Sequence, residues 1–194
     1  MALLSHFEIS GSELIEADEK VSLLFEKIGW GQFFRCFSGH NVEVTKQFAL
    51  SLKENVAQIG DFRFIIDEEK FAEATKLPQN GERWFKGGKV NKKKCQSLPL
   101  PLPATAKLKI GVSVRFLKLE WRAFYEILVR YVSCDGRFSH LHYYHLRLLL
   151  ALKGCKLNLP FYLWQSLKKM SHSVQSFGNT DRSLFHHGLV KIII

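Results

Sequence analysis

A chain of 194 residues with 46% apolar content holds enough buried surface for one substantial core. Cys36, Cys95, Cys134 and Cys155 are widely separated and form no CxxC pair, which argues against a disulfide-stapled scaffold and against zinc knuckles. The net charge of +10 conceals a split: residues 1 to 80 hold 8 Lys or Arg against 13 Asp or Glu, a net of -5, whereas residues 81 to 194 hold 20 against 5, a net of +15. A field of that kind attracts nucleic acid or another polyanion, or is satisfied internally by the acidic amino-terminal part.

The amino-terminal residues lack the basic lead of a secretory signal, and the closing Leu189-Val190-Lys191-Ile192-Ile193-Ile194 is too short to cross a bilayer. The expectation is an intracellular, reduced protein with no membrane partner. The nucleus is one candidate location.

In chain order, residues 12 to 28 mix Leu14, Ile15, Val21, Leu24, Phe25 and Ile28 with acidic positions, which predicts one helix or two short ones. Trp30, Phe33, Phe34 and Phe37 follow at helical spacing, a stripe that more often packs a core than stacks on bases. Asn41 suits a helix cap, and Val44, Phe48, Leu52 and Val56, four apart, predict the best helix of the first half, ended by Gly60. Residues 61 to 66 have the partial alternation of a short strand. Asp67, with Glu68 and Glu69 behind it, reads as the start of another helix, stopped by Pro78.

From 86 to 109 the organisation changes. Gly87-Gly88, Lys92-Lys93-Lys94 and Pro99, Pro101 and Pro103 predict an extended, flexible, basic connection. Order returns near Val114, where Leu117, Trp121, Phe124, Leu128 and Val132 predict an amphipathic helix of about 18 residues. Residues 134 to 137 break it, and Ser139 is the expected cap of the next helix, with Tyr143, Leu146, Leu149, Leu150 and Leu152 on its apolar face. Pro160 suits the first turn of a last helix whose Phe161, Leu163, Trp164, Leu167 and Met170 face inward, with Lys168 and Lys169 in its last turn. The fold class expected is mainly α: a compact multi-helix domain over residues 1 to 175 with a short β element, the 86 to 109 connection, and a weakly structured tail over 176 to 194.

No constellation establishes catalysis. Cys134, His140, His142, His145 and Cys155 are suitable zinc ligands by type, but no ligand pair is spaced for a tetrahedral site. A metal- or thiol-dependent enzyme using the Cys134 to Cys155 region stands as the alternative reading. Asp18, Asp61, Asp67, Asp135 and Asp181 form no two-metal series, and Gly87-Gly88-Lys89 lacks the phosphate-binding loop pattern. The sequence therefore points to no catalytic residue, no metal ligand and no cofactor. Lys86, Lys89, Lys92, Lys93 and Lys94 are the candidate nucleic-acid contacts, neutralising phosphates without reading bases; a solvated loop is the plainer alternative.

Several landmarks carry a resemblance: Asn41-Val42 with Phe48 and Leu52; residues 74 to 78, Ala-Thr-Lys-Leu-Pro; and residues 81 to 85, Gly-Glu-Arg-Trp-Phe. Further along are residues 131 to 138, residues 144 to 149, Pro160, and the run from Ser166 to Met170. Over roughly residues 30 to 170 the chain resembles the plant transposon protein domain, a group derived from plant mobile elements. The resemblance implies a mobile-element origin more strongly than it implies transposition. Members carry further sequence beyond this region, which points to a shortened or decayed element. By the same resemblance Glu82 and Trp84 mark a structural corner, Glu82 satisfying a local polar group and Trp84 anchoring the loop. Arg137 and His145 serve an interaction face or the fold. The function expected is a noncatalytic interaction domain whose partners are a DNA or RNA backbone and another protein.

Overall fold

Helix caps and apolar stripes set the frame. In the computed structural model, which describes residues 19–36, 41–87, 98, 112–134, 138–177, 189, 190 and 192, α1 (Glu19–Lys27) and α2 (Gly31–Arg35) lead into α3 (Val42–Ser51). The Asn41 side chain accepts from the Val44 amide at 3.1 Å, satisfying a first-turn donor that the helix itself leaves unpaired. A hairpin follows, β1 (Val56–Ile59) with β2 (Phe62–Ile65), then α4 (Glu68–Thr75), started by Asp67 accepting from the Lys70 amide at 2.9 Å. After the crossing at residues 81 to 85 come β3 (Val112–Ser113), a 3-10 turn (Val114–Phe116), α5 (Leu119–Leu128), a π-turn (Val129–Ser133), β4 (His140–Leu141), α6 (Tyr143–Leu152) and α7 (Leu159–Phe177). The architecture is mainly α, with two small two-stranded antiparallel sheets among the described residues.

The core sits around α7, which buries Tyr162, Leu163, Trp164, Leu167, Met170 and Val174 and packs against both α3 and α4. Phe71 of α4 lies against Trp164, with ring centroids 6.2 Å apart. A second aromatic group joins the amino-terminal helices to α5: Phe25 meets Phe34 at 4.6 Å and Phe124 at 5.9 Å. Trp30, Phe33 and Phe34 are all buried, so that stripe packs a core. Burying one such side chain stabilises the fold by about 1.5–3 kcal/mol. No helix of the described residues is long and apolar enough to cross a membrane.

Four boundaries differ from the sequence reading, each because a distant partner decides them. The predicted helix of residues 41 to 56 ends at Ser51, and Val56 belongs to β1. A lone strand at 62–65 would leave its backbone groups unpaired, and the preceding segment supplies the partner in the register Val56↔Ile65 and Ile59↔Phe62. The long helix predicted from Val114 begins only at Leu119, although Leu117, Trp121, Phe124, Leu128 and Val132 are all buried. Ser139 does not cap α6; residues 140 and 141 are drawn out to pair with Ser113 and Val112, and His142 takes the cap position.

The last helix runs to Phe177, leaving Lys168 and Lys169 in its middle. The extension has an identifiable purpose in the fold. Ser171 Oγ donates to the Ala49 carbonyl at 2.7 Å, and Gln175 Nε2 donates to the Ala49 and Leu52 carbonyls at 3.0 and 2.9 Å. These are carbonyls at the end of α3 that the helix ladder leaves open. At the α7 start, Asn158 Oδ1 accepts from the Phe161 amide at 2.9 Å.

Residues 88–97 and 99–109 of the predicted flexible connection lie outside the described residues. Leu98, between them, is buried in the core. Most of the predicted tail likewise lies outside them, while Leu189 and Val190 near its end are buried and Ile192 packs against the core.

Gly81 is where the backbone has least freedom to change. Its φ is +98°, and a Cβ there would lie 2.5 Å from the Lys156 carbonyl carbon; Gly60, with φ of +56°, has nothing within 4 Å of the same position. Gly81→Ala is expected to lower unfolding free energy by more than about 2 kcal/mol, against about 1 kcal/mol for Gly60→Ala, where only the left-handed conformation is penalised. Urea midpoints of the two variants measure the difference; equal losses would mean that the close approach to Lys156 contributes nothing.

Candidate functional site

Two groups of polar side chains converge on α6. The first is built on residues 81 to 85, which cross the start of α7. The Glu82 amide donates to the Lys156 carbonyl and the Asn158 amide donates to the Glu82 carbonyl, both at 3.0 Å, so a short parallel bridge holds the segment against Leu157. Trp84 is thereby laid on Tyr162, ring centroids 5.7 Å apart and planes 21° off parallel, while Phe85 meets the same tyrosine at 5.4 Å.

Charged side chains enclose this aromatic stack. Arg147 of α6 holds its guanidinium 4.7 Å from the Trp84 ring and pairs with the Glu82 carboxylate. Arg83 pairs with Glu68 of α4 at 2.7 Å and lies 4.6 Å from the Phe161 ring. Both ion pairs are substantially exposed, so each contributes roughly 0–1 kcal/mol; the cation–π contacts add about 0.5–2 kcal/mol where water is excluded.

The root of the basic connection is fastened to the same corner. Trp84 Nε1 donates to the Gly87 carbonyl, and Tyr143 Oη donates to the Lys86 carbonyl. Lys86 itself is half-buried. Its ammonium lies 5.4 Å from the Tyr144 ring and 3.5 Å from the Ser133 carbonyl, so this lysine is engaged with the fold. Lys89, Lys92, Lys93 and Lys94 lie outside the described residues, as does Arg137.

The second group surrounds His145. Its side chain is 1% exposed, within the domain and away from any surface. The His142 amide donates to His145 Nδ1 at 3.1 Å, the role that a glutamate plays at the third position of a capping box. With Nδ1 accepting, the proton of the neutral ring sits on Nε2, directed at Ser133 Oγ 3.2 Å away. Tyr125 Oη donates to the His140 carbonyl at 2.9 Å and lies 3.4 Å from Nδ1. These bonds tie α5, the π-turn and the start of α6 into one unit.

Cys134 donates its thiol to the Arg130 carbonyl at 2.9 Å, and Cys155 is exposed. Among the described residues no group of three or more His, Cys, Asp or Glu is arranged to hold a metal ion. The structure brings Glu82 and Trp84 together but puts His145 in a separate network.

Arg147, Ser133, Tyr125 and Tyr143 were not singled out from sequence as site residues. Arg147 had a usable signal: a permanently charged side chain in the otherwise apolar run from Leu146 to Leu152 needs a partner or a route to water. With this geometry in hand, comparison of the chain with protein-family models, with curated proteins and with solved structures finds no match.

Two substitutions separate the roles at the corner. Arg147→Met, which keeps the stem and removes the guanidinium, is expected to cost about 1–2 kcal/mol, and Glu82→Gln under about 1 kcal/mol, because the ring contact outweighs an exposed ion pair. Chemical unfolding followed by Trp fluorescence measures both, and the reverse order would assign the corner to the ion pair. His145→Leu leaves the His142 amide and Ser133 Oγ without their imidazole partner and is expected to cost about 2–3 kcal/mol. Hydrogen exchange at the start of α6 should quicken; unchanged protection there would show that the imidazole bonds do not hold that end.

Proposed function

We propose that the chain is a noncatalytic interaction domain that takes the phosphate backbone of DNA or RNA on a basic loop anchored at both ends. The carrying observation is the distribution of charge about that loop. From residue 83 to residue 119 there are ten Lys or Arg and not one Asp or Glu. Lys86 and Gly87 are fastened by Tyr143 and Trp84, Leu98 is buried in the core, and Val112 and Ser113 pair with Leu141 and His140. A cationic segment held at fixed points loses less conformational freedom on meeting a polyanion than a free chain of the same composition.

Lys89, Lys92, Lys93 and Lys94 are the phosphate contacts in this reading. Lys86 positions the root of the loop. Lysine is a compact point charge without the planar fork that reads guanine edges, so the binding it gives is insensitive to sequence. Derivation from a plant mobile element rests on the sequence landmarks, and a nuclear location agrees with a nucleic-acid partner.

Replacing Lys92, Lys93 and Lys94 together with Gln is expected to weaken binding to unrelated duplexes equally. The slope of log affinity against log salt should fall in magnitude by about 2 to 3, since each neutralised phosphate releases its condensed counterion. Fluorescence anisotropy over several salt concentrations reads both, with circular dichroism as the folding control. No binding by the parent chain at low salt overturns the proposal; a sequence preference that survives the triple replacement moves the interface elsewhere.

A further inference from the structure

A second cationic face lies just past the Val112–Ser113 anchor of the basic loop, about the start of α5 and the end of α6. Arg115, Lys118 and Arg122 stand on the 3-10 turn and the first turns of α5, and Lys153 follows the last turn of α6; all four are exposed. Among the described residues, none of them enters an ion pair.

The charged heads are held in place. Arg122 donates from Nε to the Leu117 carbonyl at 3.1 Å and from Nη2 to the Arg115 carbonyl at 2.9 Å, leaving its Nη1 donors for a ligand. Arg115 Nε donates to Ser113 Oγ at 3.1 Å, and the Lys153 ammonium rests 5.3 Å from the Trp121 ring. The same 3-10 turn that carries Arg115 exposes Phe116, an aromatic ring 39% accessible. The large apolar residues on the inner side of α5, Trp121, Phe124, Tyr125 and Leu128, are buried.

We infer that this face binds single-stranded nucleic acid, with a base stacked on Phe116 and the flanking phosphates on Arg115, Lys118, Arg122 and Lys153. Phosphates at regular intervals suit cations fixed in position, and an aromatic face among them gives an unpaired base a sequence-tolerant platform. A paired base cannot reach that ring without leaving its stack. A fluid anionic bilayer would call for a broad apolar face, and beside Phe116 the described residues of α5 expose one large apolar side chain, Leu119. The inference shares with the proposed function the class of partner, but it does not depend on the lysines of residues 89 to 94.

The test uses the full chain and a labelled oligo-deoxythymidine of about 20 nucleotides beside a duplex of equal length. Phe116→Ala is expected to weaken single-strand binding by about five- to ten-fold and leave duplex binding unchanged, while Phe116→Trp retains it. Lys118→Gln with Lys153→Gln should reduce the single-strand salt slope by about 1.4. Melting temperatures serve as the folding control. The same measurements on the Lys92, Lys93 and Lys94 triple variant keep the two surfaces apart: if only that variant loses affinity, this face is not the site. Equal loss for single strand and duplex in Phe116→Ala would overturn the stacking. So would binding to vesicles containing phosphatidylserine that Phe116→Ala and Leu119→Ala abolish while the oligonucleotide is held as before.

Discussion

The carbonyl end of α3, the inner face of α4 and the backbone crossing at Glu82 all terminate on α7, so the burial of that one helix is the condition on which the remaining contacts rest. Hydrophobic burial is non-directional and would by itself allow α3 to slide along its neighbour. Ser171 and Gln175 remove that freedom at one end by bonding to the carbonyls of Ala49 and Leu52. Gly81 fixes the residues before the other end of α7 by letting its backbone approach that of Lys156 more closely than any side chain permits. Apolar area supplies the driving force, and a few polar contacts at the two ends of α7 fix the alignment.

The charge split along the sequence has a limited counterpart in the fold. Arg83 with Glu68 joins the basic portion to the acidic one, whereas Arg147 takes its carboxylate from Glu82, within the basic portion itself. Exposed pairs of this sort do little for stability. Their effect is local: they hold Arg83 and Arg147 against Phe161 and Trp84, and so keep the aromatic corner covered beside Lys86 and Gly87. The ten positive charges between residues 83 and 119 are flanked in the chain by Glu82 and Glu120, with no carboxylate among them.

Features governed by neighbours in sequence were readable without coordinates. The caps at Asn41 and Asp67 are of this kind, because a side-chain oxygen three residues from its amide donor needs nothing else. So are the buried stripes of α5 and α7, which follow from helical spacing. Features decided by contacts distant in the chain were not. Val56 reads as helix until β2 demands a partner, Ser139 reads as a cap until β3 claims the residues after it, and Lys168 and Lys169 read as the last turn of the last helix until Ala49 and Leu52 present open carbonyls to Ser171 and Gln175. At the corner, the turn residues and the anchoring tryptophan stood out, but nothing local indicated that Arg147 would cover that ring. His145 stood out as a potential ligand because imidazole is chemically versatile; its burial against Ser133 and Tyr125 depends on how α5 ends.

That ending is the π-turn at Val129–Ser133, closed by the Cys134 amide on the Val129 carbonyl at 2.8 Å, with Cys134 in the left-handed region. A π-turn admits one residue more than an α-helix accommodates over the same path, and each residue turns the direction of the next side chain by about 100°. Ser133 meets the imidazole because of that extra residue. Deleting any single position in the segment would leave its composition nearly intact yet aim a different side chain at His145. This stretch should therefore tolerate substitutions among apolar residues far better than a change of length, and a one-residue gap there would mark homologous chains in which the histidine has a different neighbour.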